Sequence, residues 1–98
     1  MATSQGEIAD VIEHFIRREF RIIEDGASFR EAHLFESGYV DSAGVVELIA
    51  FLESRFGINL DDEHVFSEQF TTIDGVAAIV TAVMARDRRY DGIRAAAV

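Results

Sequence analysis

Ninety-eight residues, 49% of them apolar and 10% aromatic, make one domain that can bury a core but is too small to enclose a deep cleft. The absence of cysteine excludes a disulfide framework, a thiolate metal site and a cysteine nucleophile, and the apolar content excludes global disorder. The net charge of −9 is concentrated in residues 31–68, which hold nine acids and one arginine, so the middle of the chain repels nucleic acid and anionic lipid and attracts basic protein surfaces.

The opening, MATSQGEIADVIEHF, has no basic segment followed by an apolar run, and no apolar stretch reaches membrane-spanning length; a cytoplasmic protein without membrane insertion is expected. From Gly6 to about Phe20, the apolar positions Ile8, Val11, Ile12, Phe15 and Ile16 recur with helical spacing and predict a first helix. The stretch EDGASFREAHLFESGYV follows, a long loop whose Phe29, Leu34 and Phe35 should pin it across the core. From Ser42 to Phe56, Val45, Leu48, Ile49, Leu52 and Phe56 predict a second amphipathic helix, stopped by Gly57. NLDDEHVFSEQF reads as one or two helical turns with acids at the start and Val65, Phe66 and Phe70 after them. TTIDGVAAIVTAVMARD predicts the last helix, capped by Thr71 or Thr72, with Asp74 in its first turn and Ile73, Val76, Val80, Val83 and Met84 facing inward. No segment alternates with period two long enough to argue a sheet. The expected fold is all-α, a small four-helix bundle of three main helices plus one short helix, closed by a long first loop. Residues 1–86 form the domain, and the tail 87–98 is expected to fray.

Asp41-Ser42, at the start of the second helix, is the position that demands an explanation. Both residue types are favoured helix caps, so the plainest account makes one of them the acceptor for the first free N–H groups. A hydrolase fits poorly. VDSAG supplies half of a nucleophile elbow, with Val40 where the first glycine belongs and no preceding strand. His14, His33 and His64 lie in three separate segments, and the absence of lysine removes a Ser-x-x-Lys nucleophile. A serine modified by another protein fits better, because a hydroxyl at a helix N-terminus is accessible and a phosphodiester formed there meets the positive end of the helix dipole.

At this point the chain resembles the acyl carrier proteins, the phosphopantetheine-bearing domains of fatty acid, polyketide and peptide assembly. The resemblance runs from Ile8 to about Met84 and is carried by IADVIEHFIRREF, LFESGYVDS, VVELIAFLESRFGI and FTTIDGVAAIV in that order. By position, Ser42 resembles the serine that receives 4′-phosphopantetheine from coenzyme A through a magnesium-dependent phosphopantetheinyl transferase, and Asp41 resembles the acid that presents it. The resemblance implies a carrier that holds an acyl or aminoacyl group as a thioester and is not itself an enzyme, with no catalytic residue and no resident metal. It also implies an acyl- or aminoacyl-loading ligase, a downstream acyltransferase or synthase with a basic docking surface, and a monomeric carrier.

With Val45, Leu48, Ile49 and Leu52 turned inward, the second helix leaves Ala43, Val46, Glu47 and Ala50 on one outward face with Glu53 at its flank. A small apolar patch ringed by carboxylates suits weak, steered docking, and Glu47, about one turn beyond Ser42, is the acid singled out. Each of these glutamates is equally at home as an ordinary solvated residue. Val45, Phe51, Ile58 and Val65 are candidates to line a chain-binding tunnel, although residues at such spacing more often form plain core. Two positions depart from the family pattern. Ala43 stands where leucine is frequent and Gly44 where an acid is frequent, which predicts a less bulky and looser helix start, since a helical glycine costs about 1 kcal/mol. Together with the loop REAHLFESGYVDS, they favour a discrete, specialised or aminoacyl carrier. The alternative from another class is a non-covalent acidic adaptor in which Ser42 is only a helix cap.

Overall fold

In the computed structural model, which describes residues 4–23 and 26–97, with side chains followed as far as Arg86 apart from that of residue 27, four helices follow one another: α1 Gln5–Glu19, α2 Ser42–Phe56, α3 Asp62–Val65 and α4 Ile73–Ala97. Short 3-10 turns at Ala27–Glu31 and Glu68–Thr71 interrupt the long first connection and the approach to α4. The all-helical bundle expected from the apolar spacing is therefore present, with no strand among the described residues.

Each main helix starts with a side-chain cap. Ser4 Oγ accepts the Glu7 N–H at 3.1 Å while Glu7 Oε1 accepts the Ser4 N–H at 3.4 Å, a capping box that extends α1 one residue before the expected Gly6. Thr72 Oγ1 accepts the Gly75 N–H at 2.9 Å, which decides between the two threonines as the cap of α4. At its other end α1 stops with Arg21 in the left-handed region, φ 52°, a conformation that costs a non-glycine residue about 1 kcal/mol. The Ile22 N–H closes that turn onto the Arg17 carbonyl at 3.0 Å. α2 ends where Gly57 takes φ 65°, as its position predicted.

The core forms between α4 and the other helices. Ile73, Val76, Ala77, Val80 and Val83 of α4 are buried against Ile8, Ala9, Ile12 and Ile16 of α1 and Leu48 and Leu52 of α2. Met84 is half-buried against the same core. No polar or charged residue is buried among the described residues. The backbone of α4 runs to Ala97; the fraying expected of 87–98 falls on a segment whose side chains lie outside the described ones.

The first loop is anchored at three points. Leu34 and Val40 are buried, the Leu34 N–H donates to the Thr71 carbonyl at 2.7 Å, and the Val40 N–H donates back to the Leu34 carbonyl at 3.0 Å. Phe29 is buried under the guanidinium of Arg17, 4.4 Å from the ring centroid. Arg30 reaches back to α1, donating Nε to Glu13 Oε1 at 2.6 Å and Nη2 to Asp10 Oδ1; Glu13 Oε2 also accepts from Arg17 Nε at 2.8 Å.

Partial burial pushes the Glu13 carboxyl up, but the hydrogen bonds from Arg30 and Arg17 and their charges outweigh it and hold the group below its ordinary 4.5. The folded value thus lies below the unfolded one. The resulting stabilisation is complete above the unfolded pKa and is lost as pH falls through the folded pKa. Urea unfolding between about pH 5.5 and pH 3 should therefore show a steeper loss of stability for the native chain than for Glu13→Gln.

Candidate functional site

Asp41 and Ser42 sit where the anchored loop turns into α2. Asp41 is extended, φ −94° and ψ −177°, and its Oδ1 accepts the Gly44 N–H at 2.7 Å; its carbonyl accepts the Val45 N–H at 3.0 Å. Asp41 is therefore the N-cap and Ser42 the first helical residue. This corrects the alternative in which Ser42 serves only as a cap: the carboxylate beside it has that task, and the Ser42 hydroxyl has no part in holding the helix. Both residues are exposed, as is Ala43. Behind them Val40 is buried, so a rigid apolar base carries an exposed hydroxyl at a helix N-terminus.

Gly44 is buried and is the tightest point of this base. A methyl group placed on its Cα would lie 2.7 Å from the ring of Phe20 and 3.0 Å from Val40. The looser helix start expected from a glycine is accordingly replaced by close packing: Phe20, the C-cap residue of α1, presses its ring onto the first turn of α2. Phe20 meets Phe15 edge-on at 6.3 Å, and Phe15 stacks on Phe51 at 3.9 Å, so three aromatic rings join α1 to α2. Phe51, weighed as a tunnel residue, turns to Phe15, and Ile58 is buried in the core.

Beyond the serine, Ala43, Val46, Glu47 and Ala50 are all exposed, Val46 by 67%. Glu53 is half-buried and its Oε2 accepts the Leu60 N–H at 2.8 Å, tying α2 to the segment that leads into α3. Phe66, directly after α3, is 82% exposed and adds a large apolar surface that periodicity in so short a segment did not mark as outward. At the start of α3, Asp61 Oδ1 accepts the His64 N–H at 3.0 Å and His64 Nδ1 accepts the Asp61 N–H at 3.3 Å. Among the described residues no three His, Asp or Glu side chains are grouped to hold a metal ion, and no helix is long and apolar enough to cross a membrane. A groove of about 610 Å³ runs between α1 and α2 beside Val11, His14, Phe15, Arg18, Phe51 and Arg55; Asp41 and Ser42 lie outside it.

An acidic helical bundle with an exposed serine at the start of its second helix, and no charged group buried behind it, has the form of a carrier domain. The phosphopantetheine attachment site family matches residues 10–80, and the chain belongs to that family of acyl and aminoacyl carrier proteins, whose covalently attached cofactor is 4′-phosphopantetheine. The chain is similar to the D-alanyl carrier protein of Streptococcus suis (strain 05ZYH33), with 32% identity over 78 residues that cover 80% of this chain and 96% of the relative. The D-alanyl carrier proteins of Streptococcus sanguinis (strain SK36) and Streptococcus thermophilus (strain ATCC BAA-491 / LMD-9) are each 30% identical over 77 residues, 79% of this chain and 90% of theirs. No solved structure gives a significant match.

The separation of cap and serine has a measurable signature. Asp41→Ala should lower the unfolding free energy by about 1 kcal/mol, while Ser42→Ala should stay within about 0.5 kcal/mol of the native chain, both read from urea titrations. The glycine has its own test. Gly44→Leu should cost about 1–3 kcal/mol through overpacking, and less than half of that in a Phe20→Ala background. Equal costs in the two backgrounds would show that the ring is not what crowds position 44.

Proposed function

We propose that Ser42 is the attachment point of 4′-phosphopantetheine and that the chain holds an acyl or aminoacyl group on that arm and presents it to partner enzymes. The observation that carries this reading is the exposed Ser42 hydroxyl, first residue of α2, with capping delegated to Asp41. The residues fit the group in three respects. The hydroxyl is accessible to a transferase. The first turn of α2 turns its positive dipole end toward the place where the phosphodiester forms. Asp41 and the packed pair Gly44 and Phe20 keep that turn in place whether or not the serine is modified. When attached, the arm supplies a terminal thiol on which the cargo is held as a thioester.

Catalysis belongs to the partners in this reading: a phosphopantetheinyl transferase, a ligase that loads the cargo, and an acyltransferase or synthase that removes it. Tethering converts each encounter into a reaction at high effective concentration and asks for no catalytic group on the carrier. The exposed Ala43, Val46, Glu47 and Ala50 form the docking surface, with Glu53 at its flank, and the acidic middle of the chain steers basic partners onto it. An aminoacyl cargo is the best supported, because the similar streptococcal proteins are D-alanyl carriers. The carrier acts as a cytoplasmic monomer, with residues 1–86 as the functional domain and 87–98 as an appendage.

Incubation with coenzyme A, magnesium and a broad-specificity phosphopantetheinyl transferase should add one phosphopantetheine to the native chain and none to Ser42→Ala, read by intact-protein mass spectrometry. A folded native chain that gains no mass with several transferases would remove the tether reading.

A further inference from the structure

Asp10, Glu13 and Arg17 stand at i, i+3 and i+7 on α1, a stripe to which the carrier reading assigns no task. Arg30 bridges this stripe to the first loop. Its Nε donates to Glu13 at 2.6 Å and its Nη2 to Asp10, while Arg17 donates to the second Glu13 oxygen at 2.8 Å. The side chains of Glu13, Arg17 and Arg30 are 23%, 24% and 31% exposed, so the Glu13 part of the network is shared and partly shielded, while the Asp10 end, 68% exposed, faces solvent. From there, contact continues toward the serine. Arg17 lies over the Phe29 ring at 4.4 Å, and Phe29, 1% exposed, meets Tyr39 edge-on at 5.1 Å. Tyr39 is followed by the buried Val40 and then by the cap Asp41.

We propose that Arg30 is a positioning residue for attachment at Ser42: by clamping the first loop to Asp10 and Glu13, it holds Phe29, Tyr39 and Val40 in the one arrangement that presents Asp41 and Ser42 to the transferase. The inference rests on Ser42 being the tether point. Its physical content is a population effect. The transferase binds the presented form, so a loop that spends time unclamped weakens apparent binding by the fraction of time the form is lost. Lysine would not replace the arginine, because one guanidinium fork satisfies two carboxylates that stand at i and i+3 on α1, which a single ammonium on a flexible stem does less well.

The test uses the full chain with coenzyme A, magnesium and a phosphopantetheinyl transferase, comparing Arg30→Gln, Arg30→Lys and Glu13→Gln with Glu19→Gln, which removes an α1 acid outside the network. Arg30→Gln and Glu13→Gln should lower kcat/KM for loading by roughly 3- to 10-fold, mainly through KM, and Arg30→Lys should recover only part of the loss. The backbone amide resonances of Tyr39, Val40, Asp41 and Ser42 should shift in the same variants. Glu19→Gln should leave rate and resonances within about 2-fold and within line width, respectively. A lower melting temperature with unchanged kcat/KM and unmoved resonances at 39–42 would overturn the proposal and leave Arg30 a purely structural residue. An equal loss in Glu19→Gln would overturn it too, because the loss would then follow from removing any acid of α1 and not from the network. If the native chain is never loaded, the tether reading fails, and the amide resonances still decide whether the network governs residues 39–42.

Discussion

The structure depends on one apolar stripe. Ile73, Val76, Ala77, Val80 and Val83 of α4 are buried together, and the buried apolar residues of the other elements gather in the same core. α1 lies along α4 over much of its length through Ile8, Ile12 and Ile16, and the 3-10 turn at Glu68–Thr71 delivers Phe70 to the same core. α2 touches α4 over a shorter stretch. It is held chiefly by Leu48 and Leu52 beneath it, by the aromatic rings that reach it from α1, and by Glu53, which fastens it to the segment before α3. The helix that bears the serine thus keeps an outward face free of the core, which is what a docking element requires.

Within the site, adjacent residues divide the work. Asp41 satisfies the helix start, Val40 anchors it from below, and Gly44 admits Phe20 from the side, so the conformation at Ser42 is determined by three neighbours and by no bond of its own hydroxyl. A serine that had to cap its own helix would surrender that bond whenever it was modified. The arrangement also shapes the surface near the serine: over the two turns after Ser42 the helix exposes Ala43, Val46, Glu47 and Ala50, while the Phe51 ring is turned to Phe15 on the α1 side.

Periodic features of the fold were legible in the sequence because they repeat locally. Isoleucines and valines at helical spacing located α1, α2 and α4; Gly57 marked a helix end, Asp41 or Ser42 a start, and Thr71 or Thr72 another. What remained hidden depended on contacts between distant residues. Gly44 read as a weak point because the ring that occupies its missing side chain comes from Phe20, twenty-four positions earlier. The Ser-x-x-Glu pair at Ser4 and Glu7 was a readable capping signal that the apolar pattern, starting at Ile8, overshadowed. The 3-10 turns carry no periodic signature, and the use of Arg30 by Asp10 and Glu13 follows only once the loop folds back over α1. Phe66 misleads by composition: a phenylalanine beside a four-residue helix has no face to declare, and it is exposed.

A core built without polar groups gives up the directional bonds that distinguish one packing of helices from its near neighbours, so shape alone must break the degeneracy. The notch at Gly44 does so. Slid by one turn along α1, α2 would bring Leu48 in place of the glycine opposite Phe20, and there would be no room for the ring. One missing side chain therefore acts as a register key between α1 and α2. It also binds the histories of two positions: a descendant that fills the notch is relieved of its overpacking when the ring shrinks with it.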